Sequence, residues 1–249
     1  MLKARAELAI KEKIFPGCCY LLIQLNKQIT IPVGTIDGKL PVSENTIYDV
    51  ASITKSIPVV SLALALIAEG RLVLTDTVKQ YIPELQNDHG ATIEDLLRYR
   101  VVGPRMSPLR LSTFEEIRTH ILEKGFDGPP GESVYTNLPA FILCLVIEKV
   151  TGETLPRLAQ KYFFNPLRMT ETSFFPCNSD THISTGRQKC VCINIAPTEI
   201  VDAKEIRGIV HDESARMCTL SADRQGARRA VGHAGLFSTA PDLLKFLDA

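Results

Sequence analysis

The order of strand-like and helix-like segments most constrains what this chain can fold into. Helical periodicity at residues 2–14 is followed by two β-rich runs, 18–25 and 28–33, separated by a turn signal, which predicts a β-hairpin. Helical patterns then follow at residues 56–69, 77–81, 92–99, 113–124, 138–150 and 154–163. A return toward strand at residues 234–239 indicates an α+β fold, with an antiparallel sheet, flanking helices and a large helical insertion.

The size of the chain is compatible with one large domain or two small ones. Its 249 residues are 45% apolar, which is enough to bury a substantial core. We interpret residues 1–249 as a single domain. In this interpretation residues 1–51 hold the N-terminal helix and the first strands, residues 52–172 are mostly helical, and residues 173–249 are an irregular segment that returns toward the sheet.

Charge and hydropathy exclude several kinds of partner. Basic and acidic residues balance at 28 each, without a basic patch that carries aromatic residues, so we expect no nucleic-acid partner. The most apolar stretch, 57–68, is broken by Pro58 and is too short for a membrane span. Residues 1–13 lack the apolar segment of a secretory signal, which predicts a cytoplasmic protein, or a periplasmic one if a leader has been removed.

The chain has seven cysteines, an odd number that favours free thiols in a reducing compartment. Cys190 and Cys192 are separated by one residue, whereas zinc sites usually have two-residue spacers and further ligands nearby. We therefore predict no metal site. We also predict no cofactor, because the chain has no nucleotide-binding glycine loop and the chemistry described below needs none.

Ser52 and Lys55 are the first candidates for chemistry. They lie three residues apart where an extended segment, 47–50, passes into an apolar helix, so they share one face of that helix. A serine hydroxyl needs a positioned base, which a lysine one turn away supplies if burial disfavours its charged form. The spacing alone is weak evidence, because a capping serine followed by a surface lysine gives the same pattern.

Tyr135 and Asn137 form a second candidate pair. They lie two residues apart on an irregular segment between a Pro-Gly turn, 129–131, and the helical pattern that begins at residue 138. A tyrosine beside an ammonium group can act as an acid or a base, and an asparagine can bind a substrate amide. Alternatively, Tyr135 anchors the core and Asn137 caps the helix, and the pattern alone favours that alternative.

Together the two pairs resemble the serine β-lactamase, D-Ala-D-Ala carboxypeptidase and esterase superfamily, in its class C-like branch. That superfamily uses S-x-x-K, then Y-x-N, then a K/H-[ST]-G box. Other segments resemble the family in the same order along the chain, at residues 46–56, 69–76, 81–85, 130–132 and 165–172. The resemblance covers about residues 15–246 and implies a β-lactamase/transpeptidase-like α+β fold.

The resemblance implies a role for each candidate. Ser52 attacks a substrate carbonyl and becomes acylated, and its backbone N–H forms half of the oxyanion hole. Lys55 accepts the serine proton, Tyr135 carries a proton to the leaving group or from the hydrolytic water, and Asn137 orients the substrate. Whether Lys55 or Tyr135 is the main base stays open.

Two features depart from the family pattern. The family usually has H-T-S-G after the segment that corresponds to residues 92–97, and this chain has Arg98-Tyr99-Arg100-Val101. Pro58 falls inside the helix after Ser52 and removes a backbone donor, which predicts an irregularity just beyond the catalytic turn.

The third motif has two interpretations. His233-Ala234-Gly235 contains H-x-G, but residues 232–239 resemble a family segment that lies upstream of the third box. We therefore expect that the chain ends before the last catalytic strand, with the alternative that His233 serves as the third motif. Missing strands would remove one oxyanion donor and uncover a sheet edge, which predicts weak activity and self-association through the incomplete sheet.

His211-Asp212-Glu213 has the composition of a metal or acid–base cluster. In the resembling branch V-H-D-E recurs near the cleft, which would bring His211 toward the substrate. We favour a structural turn here.

These observations predict a serine hydrolase that forms an acyl-enzyme with a small-molecule ester, β-lactam or D-amino-acid peptide. A cytoplasmic location favours esters or amides over cell-wall substrates. The alternative is an inactive scaffold or binding protein that keeps the fold, which the altered segment 98–101 and the absent third box support. The intact set of Ser52, Lys55, Tyr135 and Asn137 favours the enzyme.

Overall fold

The computed structural model describes residues 2–24, 27–106, 113–176, 192–202, 204–220 and 228–249. The chain divides into two compact units, each built from separated stretches. The first unit comprises Met1–Val50, Phe163–Ile209 and Leu236–Ala249, and the second comprises Ala51–Tyr162 and Val210–Gly235. The interpretation of residues 1–249 as a single domain, with the internal boundaries given above, stays a prediction.

A helix and a β-hairpin open the first unit. Helix α1 spans Leu2–Lys11, and strands β1, Gly17–Gln24, and β2, Lys27–Gly34, pair antiparallel along their full length. This pairing confirms the predicted hairpin. The helix ends earlier than the predicted residue 14, because Lys13 adopts a left-handed φ of 59°, which an α-helix does not accommodate.

The other described strands of the first unit also pair antiparallel. Strand β3, Tyr48–Asp49, pairs with β6, Phe237–Ser238, and β4, Glu199–Val201, pairs with β5, Lys204–Ile206. Strand β6 leads into the last helix, α9, at Ala240–Leu247. The predicted return to strand is therefore confirmed, whereas the irregular stretch that precedes β4 is described only in part.

The second unit is mostly helical. Its helices α2 to α8 span Ser61–Ala68, Val78–Tyr81, Ile93–Leu97, Phe114–Lys124, Leu138–Thr151, Leu155–Ala159 and Glu213–Leu220. Wide helical turns lie before α2, at Lys55–Val60, and after α7, at Gln160–Phe164. A 3-10 turn at Cys192–Asn194 belongs to the first unit. Each helical segment predicted between residues 56 and 163 overlaps one of the helices α2 to α7, and α8 was not predicted.

Capping signals in the sequence fix the ends of several helices. At α4, Thr92 Oγ1 accepts a hydrogen bond from the N–H of Asp95, and the Asp95 carboxylate accepts one from the N–H of Thr92. Thr113 and Glu116 make the same reciprocal box at α5. Helix α6 ends at Gly152, whose left-handed φ of 71° suits a residue without a side chain.

The helical path after Ser52 is broken at Ile57. This residue has φ −116° and ψ 107°, which are extended values, and regular α-helix resumes at Ser61. Pro58, which follows, lacks the N–H that a continuous helix would need. The predicted irregularity is therefore confirmed, and it lies beyond Lys55.

Helix α6 forms the centre of the second unit. Nearly all its side chains from Leu138 to Ile147 are buried, including Cys144, and α2, α3, α4 and α7 pack against it. The segment that carries Tyr135 and Asn137 leads directly into this helix, so a well-packed element anchors it. Within the described ranges no helix combines the length and apolar character needed to cross a bilayer.

Candidate active site

A tight turn brings Ser52 and Lys55 together. Thr54 N–H donates to the Ala51 carbonyl, and Lys55 N–H donates to the Ser52 carbonyl, both at 3.1 Å. Such bonds between residues three apart place Ser52 and Lys55 on one side of the turn. Lys55 Nζ donates to Ser52 Oγ at 2.7 Å, so the predicted pairing on one face is confirmed.

The two side chains differ in exposure. Lys55 is 3% exposed, whereas Ser52 is open to solvent. Lys55 Nζ also donates to the backbone oxygen of His233 at 2.9 Å, so two of its donors are satisfied inside the protein. The lysine is thus held from the interior, and the serine hydroxyl is left accessible to a substrate.

The ring of Tyr135 lies next to Lys55, whose Nζ is 5.2 Å from the ring centroid. Tyr135 is 68% exposed, so the alternative in which it anchors the core is wrong. Partial burial raises the pKa of Tyr135, but hydrogen bonds with Ser52 and Lys55 and the positive charge of Lys55 outweigh this effect and leave the pKa below its ordinary value. This direction favours a phenol that exchanges protons with its neighbours.

The altered segment 98–101 makes backbone hydrogen bonds to the irregular segment that carries Tyr135. The N–H of Val134 donates to the Tyr99 carbonyl at 2.8 Å, and the N–H of Gly131 donates to the Arg100 carbonyl at 2.9 Å. Backbone bonds of this kind do not depend on side-chain identity. The departure from the family pattern therefore leaves the Tyr135 segment fixed at two points.

Asn137 occupies the N-cap position of α6, but its side chain makes no capping hydrogen bond there. Its amide nitrogen instead donates to Asp212 Oδ2 at 3.2 Å. The alternative in which Asn137 serves only to cap the helix is therefore wrong. The side chain is held by a residue that lies 75 positions away in the sequence.

A polar cluster that the sequence analysis did not predict lies behind these residues. Asp212 Oδ1 accepts a hydrogen bond from the Ser214 hydroxyl at 2.7 Å and lies 3.3 Å from His233 Nε2. Ser214 Oγ is also 2.9 Å from the same ring nitrogen. Asp212 is in the turn before α8, so the turn we favoured is present, but its carboxylate also reaches Asn137. The V-H-D-E stretch was the signal that could have revealed it.

Burial and hydrogen bonding set the ionisation of this cluster. Burial raises the pKa of Asp212, but bonds from His233, the Ala215 N–H and Ser214 outweigh it and hold the pKa far below the usual range. Burial lowers the pKa of His233, and this effect exceeds the opposing influence of Asp212. Near neutral pH the cluster therefore contains an ionised carboxylate and a neutral imidazole.

His233 contributes its backbone oxygen, and not its ring, to the contact with Lys55. The ring itself is fully buried in the Asp212 cluster, which argues against the alternative in which His233 is the third motif. The expectation that the chain ends before that motif, and the self-association inferred from it, stay predictions.

A cavity of about 380 Å³ adjoins the candidate residues. Tyr135 and Asn137 contribute to its wall, together with Gly103, Pro104, Arg105, Met106, Val134, Thr136 and Leu138. Because it combines an apolar wall with a cationic and an amide side chain, it can accept the part of a substrate next to the reacting carbonyl.

In the described part of the chain, no group of three or more His, Cys, Asp or Glu side chains is arranged to hold a metal ion. Cys190 and the side chain of Cys192, weighed above as metal ligands, lie outside the described residues. Among the described residues, Cys18, Cys19, Cys144 and Cys218 form no disulfide bond.

Solved structures share the fold. A class C β-lactamase in complex with cefoxitin has a TM-score of 0.74 and 18% identity to this chain, covering 97% of it and 62% of the solved chain. A second class C β-lactamase has a TM-score of 0.72 at 18% identity, covering 97% of this chain and 61% of its own. At this identity the likeness establishes the fold.

Sequence relatives point to the same group. A protein of Escherichia coli (strain K12), provisionally named a D-alanyl-D-alanine carboxypeptidase, is 27% identical over 239 residues, covering 84% of this chain and 52% of its own length. A protein of Salmonella agona (strain SL483) with the same name is 27% identical over 226 residues, covering 80% and 49%. The chain therefore spans about half the length of these curated relatives. The Beta-lactamase family model matches residues 9–249, so this chain belongs to the β-lactamase family, as its motifs predicted.

Proposed function

We propose that this chain is a serine hydrolase that forms an acyl-enzyme at Ser52. The observation that carries the proposal is the 2.7 Å hydrogen bond between Lys55 Nζ and Ser52 Oγ, in which the lysine is buried and the serine is exposed. A hydroxyl attacks a carbonyl efficiently only when a positioned base takes its proton, and Lys55 lies where that base must lie. Membership of the β-lactamase family supports the same chemistry.

The proposed reaction has two stages. Ser52 Oγ attacks the substrate carbonyl carbon while its proton passes to the Lys55 amine, and the Ser52 backbone N–H stabilises the oxyanion. The bond to the leaving group then breaks as that group takes a proton from Tyr135 or Lys55. In the second stage water attacks the acyl carbon, gives its proton to the same pair, and releases the acid and the free Ser52 hydroxyl.

Tyr135 and Asn137 have supporting roles in this proposal. Tyr135 carries the proton to the leaving group or from the water, which its lowered pKa and its contact with Lys55 favour. Asn137 orients the substrate from the wall of the adjoining cavity. The choice between Lys55 and Tyr135 as the main base is the part of the mechanism that kinetic measurements on variants must decide.

The proposed substrates are esters, β-lactams and peptides that end in a D-amino acid. The names of the relatives give a D-alanyl-D-alanine carboxypeptidase, and one solved neighbour holds cefoxitin. Met106, Val134 and Leu138 line the cavity with apolar groups, and Arg105 adds a positive charge that suits a substrate carboxylate.

Intact-mass spectrometry after incubation with a fluorophosphonate and, separately, with a penicillin tests this proposal. We expect one covalent adduct on the wild type, which Ser52→Ala abolishes. The control is Ser56→Ala, which removes an exposed hydroxyl from the same turn and should leave the adduct intact. If neither probe gives a Ser52-dependent adduct, the proposal is wrong, and a binding protein that keeps the fold becomes the better interpretation.

A further inference from the structure

The Asp212 carboxylate is a half-buried acceptor that the proposed mechanism does not use. Its Oδ1 accepts from the Ser214 hydroxyl at 2.7 Å and from the Ala215 N–H at 3.0 Å, and it lies 3.3 Å from His233 Nε2. Its Oδ2 accepts from the Asn137 amide at 3.2 Å. One side chain therefore joins helix α8, the His233 turn and the segment that carries Asn137.

The chemistry of a carboxylate fixes the orientation of its partners. Because an ionised carboxylate only accepts hydrogen bonds, the His233 nitrogen that faces Asp212 carries the ring proton. The other ring nitrogen, Nδ1, is buried without a hydrogen-bond partner among the described residues, as expected for the unprotonated atom of a neutral imidazole. The ring also lies 6.1 Å from the ring of Phe141, so its position is fixed on two sides.

The same turn holds Lys55 through its backbone. A Cβ on Gly232 would lie 2.3 Å from the carbonyl oxygen of Ala140 in α6, so this backbone packs directly against that helix. The carbonyl of the next residue, His233, accepts from Lys55 Nζ at 2.9 Å. Lys55 Nζ also donates to Ser52 Oγ at 2.7 Å, so the His233 carbonyl helps to hold the nitrogen that faces the serine.

Asn137 is oriented by the same rule. Asp212 accepts but does not donate, so the amide nitrogen of Asn137 must face it and the amide oxygen must face away. Without the hydrogen bond to Asp212, the Asn137 amide could rotate by 180° and exchange the positions of its oxygen and nitrogen. A substrate would then face the donor nitrogen in some molecules and the acceptor oxygen in others. The carboxylate thus selects one of the two amide orientations.

We propose that Asp212 is a positioning residue, which fixes the Lys55 base through His233 and fixes the Asn137 amide directly. This inference rests on the function proposed above and assigns to Asp212 a role in aligning two groups of the site at once. Asp212 does not touch the substrate. Its effect is on alignment, and misplacement of a reacting group by about 1 Å costs about 10²-fold in rate.

Asp212→Asn is the main test, because it keeps the size of the side chain and removes the acceptor-only character. The matched control is Glu148→Gln, which alters another largely buried carboxylate of the second unit, bonded to Arg229 at 3.2 Å and to the Leu155 N–H at 2.7 Å. We expect the rate of Ser52 labelling by a fluorophosphonate to fall about 10²-fold in Asp212→Asn and to change less than about twofold in Glu148→Gln.

A second readout is independent of activity. In protein labelled with ¹³C at tyrosine Cζ, an NMR titration reports the pKa of Tyr135, assigned by its loss in Tyr135→Phe. If Lys55 moves away in Asp212→Asn, the pKa of Tyr135 rises, because the hydrogen bond with Lys55 and its positive charge lower that pKa together with the hydrogen bond from Ser52. Loss of the negative charge of Asp212 without movement of Lys55 would instead lower the pKa of Tyr135. The direction of the change in the Tyr135 pKa therefore distinguishes a positioning role from a purely electrostatic effect.

A milder variant keeps the inference testable if Asp212→Asn unfolds. Ser214→Ala removes one hydrogen bond to Asp212 and to the His233 ring, and we expect about a tenfold loss of labelling rate with folding retained. Unchanged labelling in folded Asp212→Asn, or a Tyr135 pKa that stays constant or falls, would overturn the positioning role. A wild type that is not labelled at all would instead reject the proposed function, and the titration would still decide the role of Asp212.

Discussion

The ring of Tyr99 stacks on the ring of Tyr135, with centroids 5.6 Å apart and planes inclined by 14°. Tyr99 adopts a left-handed φ of 56°, which is uncommon for an aromatic residue and persists only where the surroundings require it. Tyr99 belongs to the segment in which this chain departs from the family pattern. The departure therefore supplies a second ring beside the proposed proton carrier.

Replacement of Tyr99 tests the value of this stacking. Burial, and then the charge of Tyr135, raises the pKa of Tyr99 to about 12, so Tyr99→Phe changes no charge near neutral pH. We expect Tyr99→Phe to keep the Ser52 labelling rate within about twofold and Tyr99→Ala to lower it up to about tenfold, since aromatic pairs contribute about 0.5–1.5 kcal/mol. Equal rates in the two variants would contradict the supporting role of the ring.

Tyr135 should ionise before every other tyrosine of the chain. Interactions with Ser52 and Lys55 outweigh burial and lower its pKa, whereas burial raises the pKa of the others, Tyr20, Tyr48, Tyr81, Tyr99 and Tyr162. A phenolate absorbance titration should show one equivalent ionising below about pH 10. That equivalent should be absent from Tyr135→Phe, and its persistence there would assign the early ionisation to another residue.

The stability of the chain should fall on mild acidification because of His233. Its pKa is lowered in the folded state by burial, so unfolding takes up a proton at pH values just below the unfolded pKa of about 6.5. The unfolded state then binds more protons, and the free energy of unfolding decreases as the pH falls. Urea unfolding between pH 7 and pH 5 should show this slope, and His233→Gln should flatten it.

Asp212 contributes in a lower window. Its pKa is also lowered on folding, so its stabilisation is present above an unfolded pKa of about 3.9 and is lost as the pH falls below that value. In His233→Gln the slope between pH 7 and pH 5 is therefore removed, whereas a reduced loss at lower pH remains, because the Ala215 N–H and Ser214 still lower the pKa of Asp212. An unchanged slope between pH 7 and pH 5 in this variant would show that His233 is not the group responsible.

Gly232 should tolerate no side chain. A Cβ there would lie 2.3 Å from the Ala140 carbonyl oxygen and 2.7 Å from Cys144 Cβ, so the turn or helix α6 would have to move. We expect Gly232→Ala to destabilise the fold by about 1–3 kcal/mol in urea unfolding. Gly128→Ala is the control, because a Cβ at Gly128 meets open space. Similar stability of the two variants would contradict the close approach.

Features that depend on neighbours in the sequence were predicted well. The hairpin follows from two β-rich runs and the turn signal between them. The spacing of three between Ser52 and Lys55 placed them on one face without knowledge of the rest of the fold. In each case the interacting groups lie within one turn or one hairpin.

The Asp212 cluster was not predicted because its meaning depends on tertiary packing. Asp212 and His233 lie 21 residues apart, and each has the local sequence of a turn. The sequence of neither turn shows that the two turns lie side by side. It also does not show that the His233 ring is fully buried, or that Lys55 contacts the backbone carbonyl of His233 and not its imidazole. Tertiary packing brings this turn aspartate next to Asn137, whose amide nitrogen donates to it.

The bond from Lys55 to the His233 carbonyl also bears on the biosynthesis of the protein. It joins residues 178 positions apart, and between them the chain passes through Phe163–Ile209, which belongs to the other unit. During translation Ser52 and Lys55 leave the ribosome long before His233 is added. A nascent chain thus carries Ser52 and Lys55 before the carbonyl that holds Lys55 has been made, so we expect the proposed reactivity only after the second unit has folded.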